Sequence, residues 1–174
     1  MTSTHSPLHV VIMGVSGTGK TSAAQYLQQH LGWVYAEGDE FHSEANVAKM
    51  RSGTPLNDDD RAPWLASIAT WMTEQAAAGH NTLVTCSALK RKYRDILRAA
   101  TGRVVFLHLT GEKAVLAQRM DSRVDHYMPS SLLDSQFATL EPLGEDEAGV
   151  VVDVAGSKDD VAAAALAAVR KFAG

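Results

Sequence analysis

The sequence has almost no cysteine and no long apolar run, and both absences narrow the class of protein. Cys86 is the only cysteine among 174 residues, so an intrachain disulfide and a cysteine-rich zinc site are excluded. No run of about 18 apolar residues is present, and residues 1–9 lack the basic start and apolar core of a signal peptide. We therefore expect a cytoplasmic protein with no membrane partner.

An excess of positive charge is also missing. The chain carries 16 Lys and Arg residues against 20 Asp and Glu residues, a formal net charge of −4. That balance provides no broad attraction for nucleic acid, so no nucleic-acid partner is expected and any bound anion must be held by a few local groups. The length suits one domain, which we expect to span residues 1–174.

Short apolar runs alternate with longer segments of helical periodicity. This pattern is typical of βαβ units that build a parallel sheet covered on both faces, and it predicts an α/β fold. The five predicted strands are Leu8–Met13, Trp33–Ala36, Thr82–Cys86, Val104–Leu109 and Val150–Val154. Apolar stripes predict helices at about 61–78, after Ser87, and over 161–172, with Gly79 ending the first.

Residues 14–21 fit the phosphate-binding pattern G-x-x-x-x-G-K-S/T completely, between a predicted strand and a predicted helix. The backbone N–H groups of such a loop and the N-terminus of the helix after it hold the phosphates of ATP. Lys20 is expected to bring positive charge to the β- and γ-phosphates, and Thr21 a hydroxyl to Mg²⁺. The predicted ATP-binding residues here are Gly14, Val15, Ser16, Gly17, Thr18, Gly19, Lys20, Thr21 and Ser22.

Among P-loop proteins, a kinase for a small molecule fits this length best. A regulatory GTPase would carry an N-K-x-D segment after its fourth strand, which is absent, and a motor ATPase needs a longer chain. A small-molecule kinase must supply an acceptor site across from the loop, a base for the acceptor hydroxyl, and positive charge for the moving phosphoryl group.

The acceptor site is predicted at the carboxyl edge of the sheet, where ligands bind in open α/β folds. Asp39 follows the second strand, so we expect it to take or orient the proton of the acceptor hydroxyl and to hold a Mg²⁺-bound water; a helix N-cap is the alternative. His42 is expected to hydrogen-bond the acceptor, and a structural histidine is its alternative.

Basic side chains near this edge are candidates for binding an anionic group of the acceptor. Arg61 is a fork-shaped donor suited to a carboxylate or phosphate, and Lys90 and Arg94 share one face of a predicted helix. Solvated surface positions are the alternative for all three. The acidic run 58–60 is interpreted as an exposed turn in which Asp60 caps the next helix, and a functional role is its alternative. Cys86 is interpreted as a buried, inert thiol, and a nucleophile is its alternative.

A polar segment over 119–129 interrupts two helical patterns and is expected to form a mobile lid. Closing it would expel water and bring Arg119 or Arg123 onto the phosphates or the adenine face. The alternative is a helix end stabilised by salt bridges.

The chain resembles the bacterial-type gluconate kinases, which are small P-loop kinases allied to shikimate and nucleoside monophosphate kinases. The resemblance spans nearly the whole chain. It rests on the segments Gly14–Lys20, Gly38–His42, Lys49–Arg61 followed by Trp64, Cys86–Lys90 followed by Tyr93-Arg94, and Gln136-Phe137 before Leu140-Glu141-Pro142.

The resemblance implies a three-layer sandwich like that of the nucleoside monophosphate kinases, with the strand order 2-3-1-4-5. It also implies transfer of a phosphoryl group from ATP, with Mg²⁺, to the C6 hydroxyl of D-gluconate, and a homodimer. The implied catalytic residues are Lys20, Asp39 and Arg123. The implied substrate-binding residues are Asp39, His42, Lys49, Arg61, Ser87, Lys90, Arg94 and His126.

Two other functions stay open from the sequence. One is a kinase for another small acceptor, such as shikimate, another sugar acid or a nucleoside monophosphate. The other is a module that binds ATP without transferring a phosphoryl group. The lid also departs from the family, with Tyr127-Met128 where two Phe residues are common.

Overall fold

The computed structural model describes residues 6–121 and 131–173, without the side chains of residues 119–121 and 131–132. A parallel sheet of five strands forms its centre, in the order β2-β3-β1-β4-β5. The strands are β1 (Leu8–Met13), β2 (Val34–Glu37), β3 (Thr82–Thr85), β4 (Arg103–Thr110) and β5 (Gly149–Asp153). This confirms the predicted strand order, and every strand begins and ends within one residue of its predicted position.

Helices follow the strands along the chain. They are α1 (Lys20–Leu31), α2 (Glu44–Arg51), α3 (Asp58–Ala77), α4 (Arg91–Arg98), α5 (Lys113–Asp121), α6 (Ser131–Thr139) and α7 (Lys158–Ala173). A single 3-10 turn, Gly38–Phe41, links β2 to α2. Neither this turn nor α2 was predicted. None of the helices in the described ranges is both long and apolar enough to cross a membrane.

The two faces of the sheet are buried under different helices. Along β1, Val10 and Ile12 pack with α1 and α7, whereas Val11 and Met13 pack with α3 and α4. Because both faces are covered, the central strand is apolar at nearly every position, unlike the alternating strands of a half-exposed sheet. The protein is therefore a three-layer α/β sandwich, as predicted.

Helix α3 begins three residues earlier than the apolar stripe predicted. The Asn57 side chain accepts a hydrogen bond from the Asp60 N–H at 2.8 Å, and the Asp60 carboxylate accepts one from the Asn57 N–H at 3.0 Å. This reciprocal capping box makes Asn57 the N-cap, so the interpretation of Asp60 as the N-cap was wrong. At the other end, Gly79 has the positive φ of 80° expected of a residue that ends a helix.

His9 is a polar residue in the middle of β1, and it is fully buried. Its Nε2 lies 2.8 Å from the Thr101 carbonyl oxygen, which only accepts, so Nε2 carries a proton. In the neutral imidazole Nδ1 then accepts from the Thr82 hydroxyl at 2.7 Å. Burial lowers the pKa of His9 below its usual value, and the Thr101 bond offsets part of that effect. The fold therefore holds this imidazole neutral.

We expect the free energy of unfolding to fall as the pH drops below about 6.5, because the unfolded chain then binds a proton that the folded protein excludes from His9. Burial likewise lowers the pKa of His42 and His108, so both add to the effect with the same sign. Each such histidine contributes at most about 1.4 kcal/mol per pH unit. Urea unfolding at pH 7.5 and 5.5 measures the change.

The variant His9→Gln should show a smaller loss of stability between these two pH values than the wild type. His80→Gln is the matched control, since that side chain is exposed and should leave the pH dependence unchanged. An equal pH dependence in His9→Gln and the wild type would contradict the assignment of a neutral His9.

Candidate active site

The loop after β1 has the geometry of an anion-binding site. Gly17 and Gly19 have positive φ angles of 86° and 85°, and helix α1 begins at Lys20. These conformations turn successive N–H groups toward one point in front of the helix N-terminus, where the helix dipole also favours negative charge. The Thr18 hydroxyl donates to the Val15 carbonyl at 2.9 Å and holds the turn closed.

Gly14 is required where this loop leaves the sheet. It has a φ of 144°, and a Cβ atom there would lie 2.4 Å from the Leu109 carbonyl oxygen at the end of β4. The Lys20 ammonium group lies across the loop, 3.0 Å from the Gly14 carbonyl oxygen and 3.1 Å from that of Val15. The lysine therefore lies over the mouth of the loop, where phosphates would bind.

Glu37, the last residue of β2, is a member of the site that the sequence analysis missed. Its carboxylate accepts hydrogen bonds from the Tyr35 and Thr85 hydroxyls. Burial raises the pKa of Glu37, but hydrogen bonds from Thr85, Tyr35 and Thr21 and the charge of Lys20 outweigh it and hold the pKa below its usual value. The available signal was an acidic residue at the end of a strand, two positions before Asp39.

Asp39 and His42 follow within one turn. The Asp39 side chain is 87% exposed, whereas that of His42 is 2% exposed, and Asp39 Oδ1 lies 3.9 Å from His42 Nε2. The His42 ring stacks on Trp64 with centroids 4.1 Å apart. Burial lowers the pKa of His42, Asp39 raises it and Arg61 lowers it. The result is a neutral imidazole fixed beside an open carboxylate.

This turn is held tightly against β3. A Cβ atom on Gly38 would lie 2.0 Å from the Thr85 carbonyl oxygen, so only glycine fits. The Gly38 N–H donates to the Thr85 hydroxyl at 3.2 Å, and the Gly38 carbonyl accepts from Trp64 Nε1 at 2.7 Å. These contacts fix the direction in which Asp39 leaves the sheet.

Arg61, in the first turns of α3, meets the start of α4 at Tyr93. Its Nη1 donates to the Tyr93 hydroxyl at 3.0 Å, and its guanidinium carbon lies 5.5 Å from the centre of the tyrosine ring. The Tyr93 hydroxyl donates in turn to the Asp58 carboxylate. Arg61 also influences His42 electrostatically, so it belongs to the same cluster as Asp39 and His42.

The two predicted lysines near this cluster are already paired with acids of the run 58–60. Lys90 Nζ lies 3.2 Å from Asp58, which also pairs with Lys92. Lys49 Nζ lies 2.9 Å from Asp60 and holds α2 against the start of α3. These carboxylates are therefore not a plain exposed turn, because each partly neutralises a cation.

Arg94 does not reach the open site, and here the prediction of a substrate contact was wrong. Its side chain is 0% exposed, and its Nε donates to the 1% exposed Glu147 carboxylate at 2.7 Å. Other guanidinium nitrogens donate to the carbonyl oxygens of Ala88 and Pro142. The helical face that suggested a basic surface is covered by the chain over 142–147, which sequence periodicity does not reveal.

Arg94 acts instead on the loop after β3. Ala88 has a positive φ of 46°, which is an unfavourable conformation for a residue with a side chain. Arg94 Nη1 donates a hydrogen bond to the Ala88 carbonyl oxygen at 2.9 Å. In the same loop the Ser87 carbonyl accepts from the Gly14 N–H at 3.3 Å. The loop that carries Ser87 thus lies directly against the phosphate loop.

Cys86 is buried, and burial raises the pKa of its thiol to about 12, which supports the interpretation of an inert thiol. In the described ranges no group of three or more His, Cys, Asp or Glu side chains is arranged to hold a metal ion.

The predicted lid begins inside α5, whose backbone continues to Asp121. The Arg119 side chain, Arg123 and His126 lie outside the described residues.

Several known proteins are similar to this chain in sequence and in structure. The model of a family described as "AAA domain" matches residues 10–143. A gluconokinase of Gluconobacter oxydans is 51% identical over 152 residues, which cover 87% of this chain and 84% of that protein. Two solved structures are also similar over nearly their whole length.

The first is a sugar kinase from Janibacter, with a TM-score of 0.90 and 49% identity over 94% of this chain and 95% of that one. The second is a gluconokinase from Sinorhizobium meliloti, with a TM-score of 0.85 and 44% identity over 97% and 95% of the two chains.

The structural role of the buried ion pair gives a prediction about stability. The change Glu147→Gln should lower the free energy of unfolding by on the order of 3 kcal/mol, because it leaves the buried Arg94 charge without its counter-charge. Asp146→Asn is the matched control: that residue forms an exposed ion pair with Arg91, and its loss should leave the unfolding midpoint unchanged. Equal effects of the two substitutions would refute the difference in role.

Proposed function

We propose that this chain, which belongs to the gluconokinase family, transfers the γ-phosphoryl group of ATP to the C6 hydroxyl of D-gluconate, giving 6-phospho-D-gluconate and ADP. The observation that carries the proposal is that Asp39, His42 and Arg61 form a cluster after β2, at the edge of the parallel sheet where β1 also ends and the phosphate loop begins. A hydroxyl bound at Asp39 would face phosphates bound by the loop. Sugar-acid breakdown is the metabolic setting that this reaction fits.

In the proposed reaction the acceptor oxygen forms a bond to the γ-phosphorus while the bond from that phosphorus to the bridging oxygen breaks. ADP leaves with the electron pair of the broken bond, and the hydroxyl proton passes to Asp39. Lys20 offsets the negative charge on the phosphoryl oxygens, with Arg123 and Arg119 proposed to add to it. The high exposure of Asp39 supports its role, because an open carboxylate is accessible to a polyol.

The residues around the loop fit a phosphate-bound Mg²⁺. This ion prefers hard oxygen ligands, and the side chain of the exposed residue Thr21 hydrogen-bonds the Glu37 carboxylate and helps to keep it anionic. When bound, Mg²⁺ would neutralise charge on the ATP phosphates. Thr21 is proposed to contact it directly, and Glu37 or Asp39 to hold one of its waters.

Gluconate carries one negative charge, and we propose Arg61 as the main partner of its carboxylate. The Arg61 hydrogen bond to Tyr93 has a neutral acceptor, whereas Lys49 and Lys90 lie against Asp60 and Asp58. His42, Lys49, Ser87, Lys90 and His126 are proposed to contact the hydroxyl groups of the substrate.

We also propose a cytoplasmic location and a homodimer. The single buried thiol suits a reducing compartment. The proposal of a homodimer rests on the family resemblance. Size-exclusion chromatography with light scattering measures the mass in solution: a mass of two chains supports the dimer, and a mass of one chain excludes it.

The first test is ADP release with Mg·ATP and D-gluconate, beside other sugar acids, shikimate and AMP. We expect release with gluconate, reduced about 10²–10³-fold in kcat by Lys20→Ala and about 10²–10⁴-fold by Asp39→Asn. Near-normal turnover of Asp39→Asn would remove the base assignment.

The panel also separates the other functions. Release with another acceptor alone would keep the kinase and exclude the gluconate site. ATP binding without release for any acceptor would indicate a non-catalytic module.

Arg61→Met tests the carboxylate partner. It should raise the KM for gluconate about tenfold or more, because a hydrogen bond to a charged group is lost. The same change should alter turnover of the neutral polyol D-glucitol by less than twofold. Arg51→Met, which removes a positive charge from an exposed site on α2, is the control and should leave the gluconate KM unchanged. Equal losses for gluconate and glucitol would contradict the assignment.

A further inference from the structure

One contact of the phosphate loop comes from a distant part of the chain. The Ser16 N–H donates to the side-chain oxygen of Gln136, on α6, at 2.8 Å. Both residues are half-buried, and they are 120 positions apart in sequence. Ser16 is the third residue of the loop, which offers this N–H no backbone acceptor in the described ranges. The Gln136 side-chain oxygen is therefore the acceptor that orients the Ser16 N–H group.

Helix α6 is anchored beyond Gln136 to the loop after β3. The Glu141 N–H donates to the Leu89 carbonyl at 2.7 Å, and the Glu141 carboxylate accepts from the Arg91 N–H at the start of α4, at 3.0 Å. The helix thus contacts the phosphate loop through Gln136, and the segment after it contacts the loop that carries Ser87 and Lys90. Among the side chains of the described ranges, only that of Gln136 accepts a hydrogen bond from an N–H group of residues 14–19.

We propose that Gln136 is a positioning residue for nucleotide binding: its side-chain oxygen holds the Ser16 N–H and keeps the first half of the phosphate loop in the shape that accepts phosphates. A glycine-rich loop is otherwise free to adopt other conformations, and a fixed point on α6 reduces the entropy lost when nucleotide binds. The inference extends the proposed function through its nucleotide site and does not depend on the identity of the acceptor.

The contact is a neutral hydrogen bond, so its loss should weaken nucleotide binding by about three- to tenfold. The test substitutes Gln136→Met, which keeps the length of the side chain and removes the acceptor, and Gln136→Glu, which keeps an oxygen in the same place. Ser135→Ala, an exposed neighbour on α6, is the matched control. ADP is the probe, because its binding requires no acceptor and no turnover.

Calorimetric titration with Mg·ADP should give weaker binding for Gln136→Met and binding within twofold of the wild type for Ser135→Ala. Gln136→Glu is assessed by hydrogen exchange, because salt does not screen its half-buried negative charge from the phosphates of the nucleotide. Hydrogen exchange at the Ser16 amide should be faster in Gln136→Met than in Gln136→Glu. In steady-state assays Gln136→Met should raise the KM for ATP and leave that for the acceptor within twofold.

Wild-type ADP affinity in Gln136→Met would overturn the proposal, and so would equally fast exchange of the Ser16 amide in Gln136→Met and Gln136→Glu, since the oxygen would then not hold the N–H group. Because Gln136→Glu preserves the contact, it separates this role from a general loss of folding. If the wild type bound ADP but did not phosphorylate gluconate, the acceptor assignment would fail while this test kept its meaning.

Discussion

The parallel pairing of β1 with both β3 and β4 decides where the functional side chains lie. All three strands run in one direction, so the chain leaves β1 and β3 at the same edge, and the phosphate loop and the loop after β3 emerge side by side. The hydrogen bond from the Gly14 N–H to the Ser87 carbonyl is the direct consequence. β2 pairs outside β3 and brings Glu37 and Asp39 to the same edge, with Gly38 packed against Thr85. A slip of one residue in either pairing would turn these groups into the buried layers.

Charge at this edge is balanced by close pairs rather than by an overall excess. Asp58 and Asp60 lie against lysines, and Glu37 accepts hydrogen bonds from two hydroxyl groups and is influenced by the charge of Lys20. An acceptor with one negative charge therefore meets a guanidinium whose described hydrogen-bond partner is the neutral Tyr93, within a setting that is otherwise nearly compensated. A ligand with several negative charges would have to separate the existing pairs first. This arrangement suits a monoanionic polyol better than a highly charged acceptor, in keeping with the proposed substrate.

Local pattern was enough to predict the parts of the molecule that are set by neighbours in sequence. The phosphate loop follows from the glycines and Lys20, and the strands from short apolar runs, because both faces of the sheet are buried. What the sequence analysis missed or placed wrongly at Arg94 and Gln136 depends on contacts between distant residues. Arg94 lies on the expected helix, but Glu147 covers it from 53 positions away. The error at Asp60 was local, because Asp60 lies in a run of three acids, each of which could have been the N-cap. Its hydrogen bonds with Asn57 make Asn57 the N-cap and Asp60 the third residue of the helix. Gln136 contacts Ser16 only in the folded chain, because the two residues are 120 positions apart. Arg123 and His126 lie outside the described residues, so their proposed roles stay predictions.

The Arg94 ion pair shows how the core supports the site without touching it. Burying two opposite charges contributes little net stability compared with apolar side chains of the same size, so the pair is poorly explained as a general stabiliser. Its geometry suggests a more specific role, because the same guanidinium that pairs with Glu147 also binds the Ala88 carbonyl and the Pro142 carbonyl. An apolar residue would fill the space but would make neither bond. Without them, Ala88 would lose the contact that offsets its positive φ, and Ser87 would lose its fixed place against Gly14. The buried charge thus stabilises one conformation of one loop, and that loop follows β3, between the phosphate loop after β1 and the cluster of Asp39, His42 and Arg61.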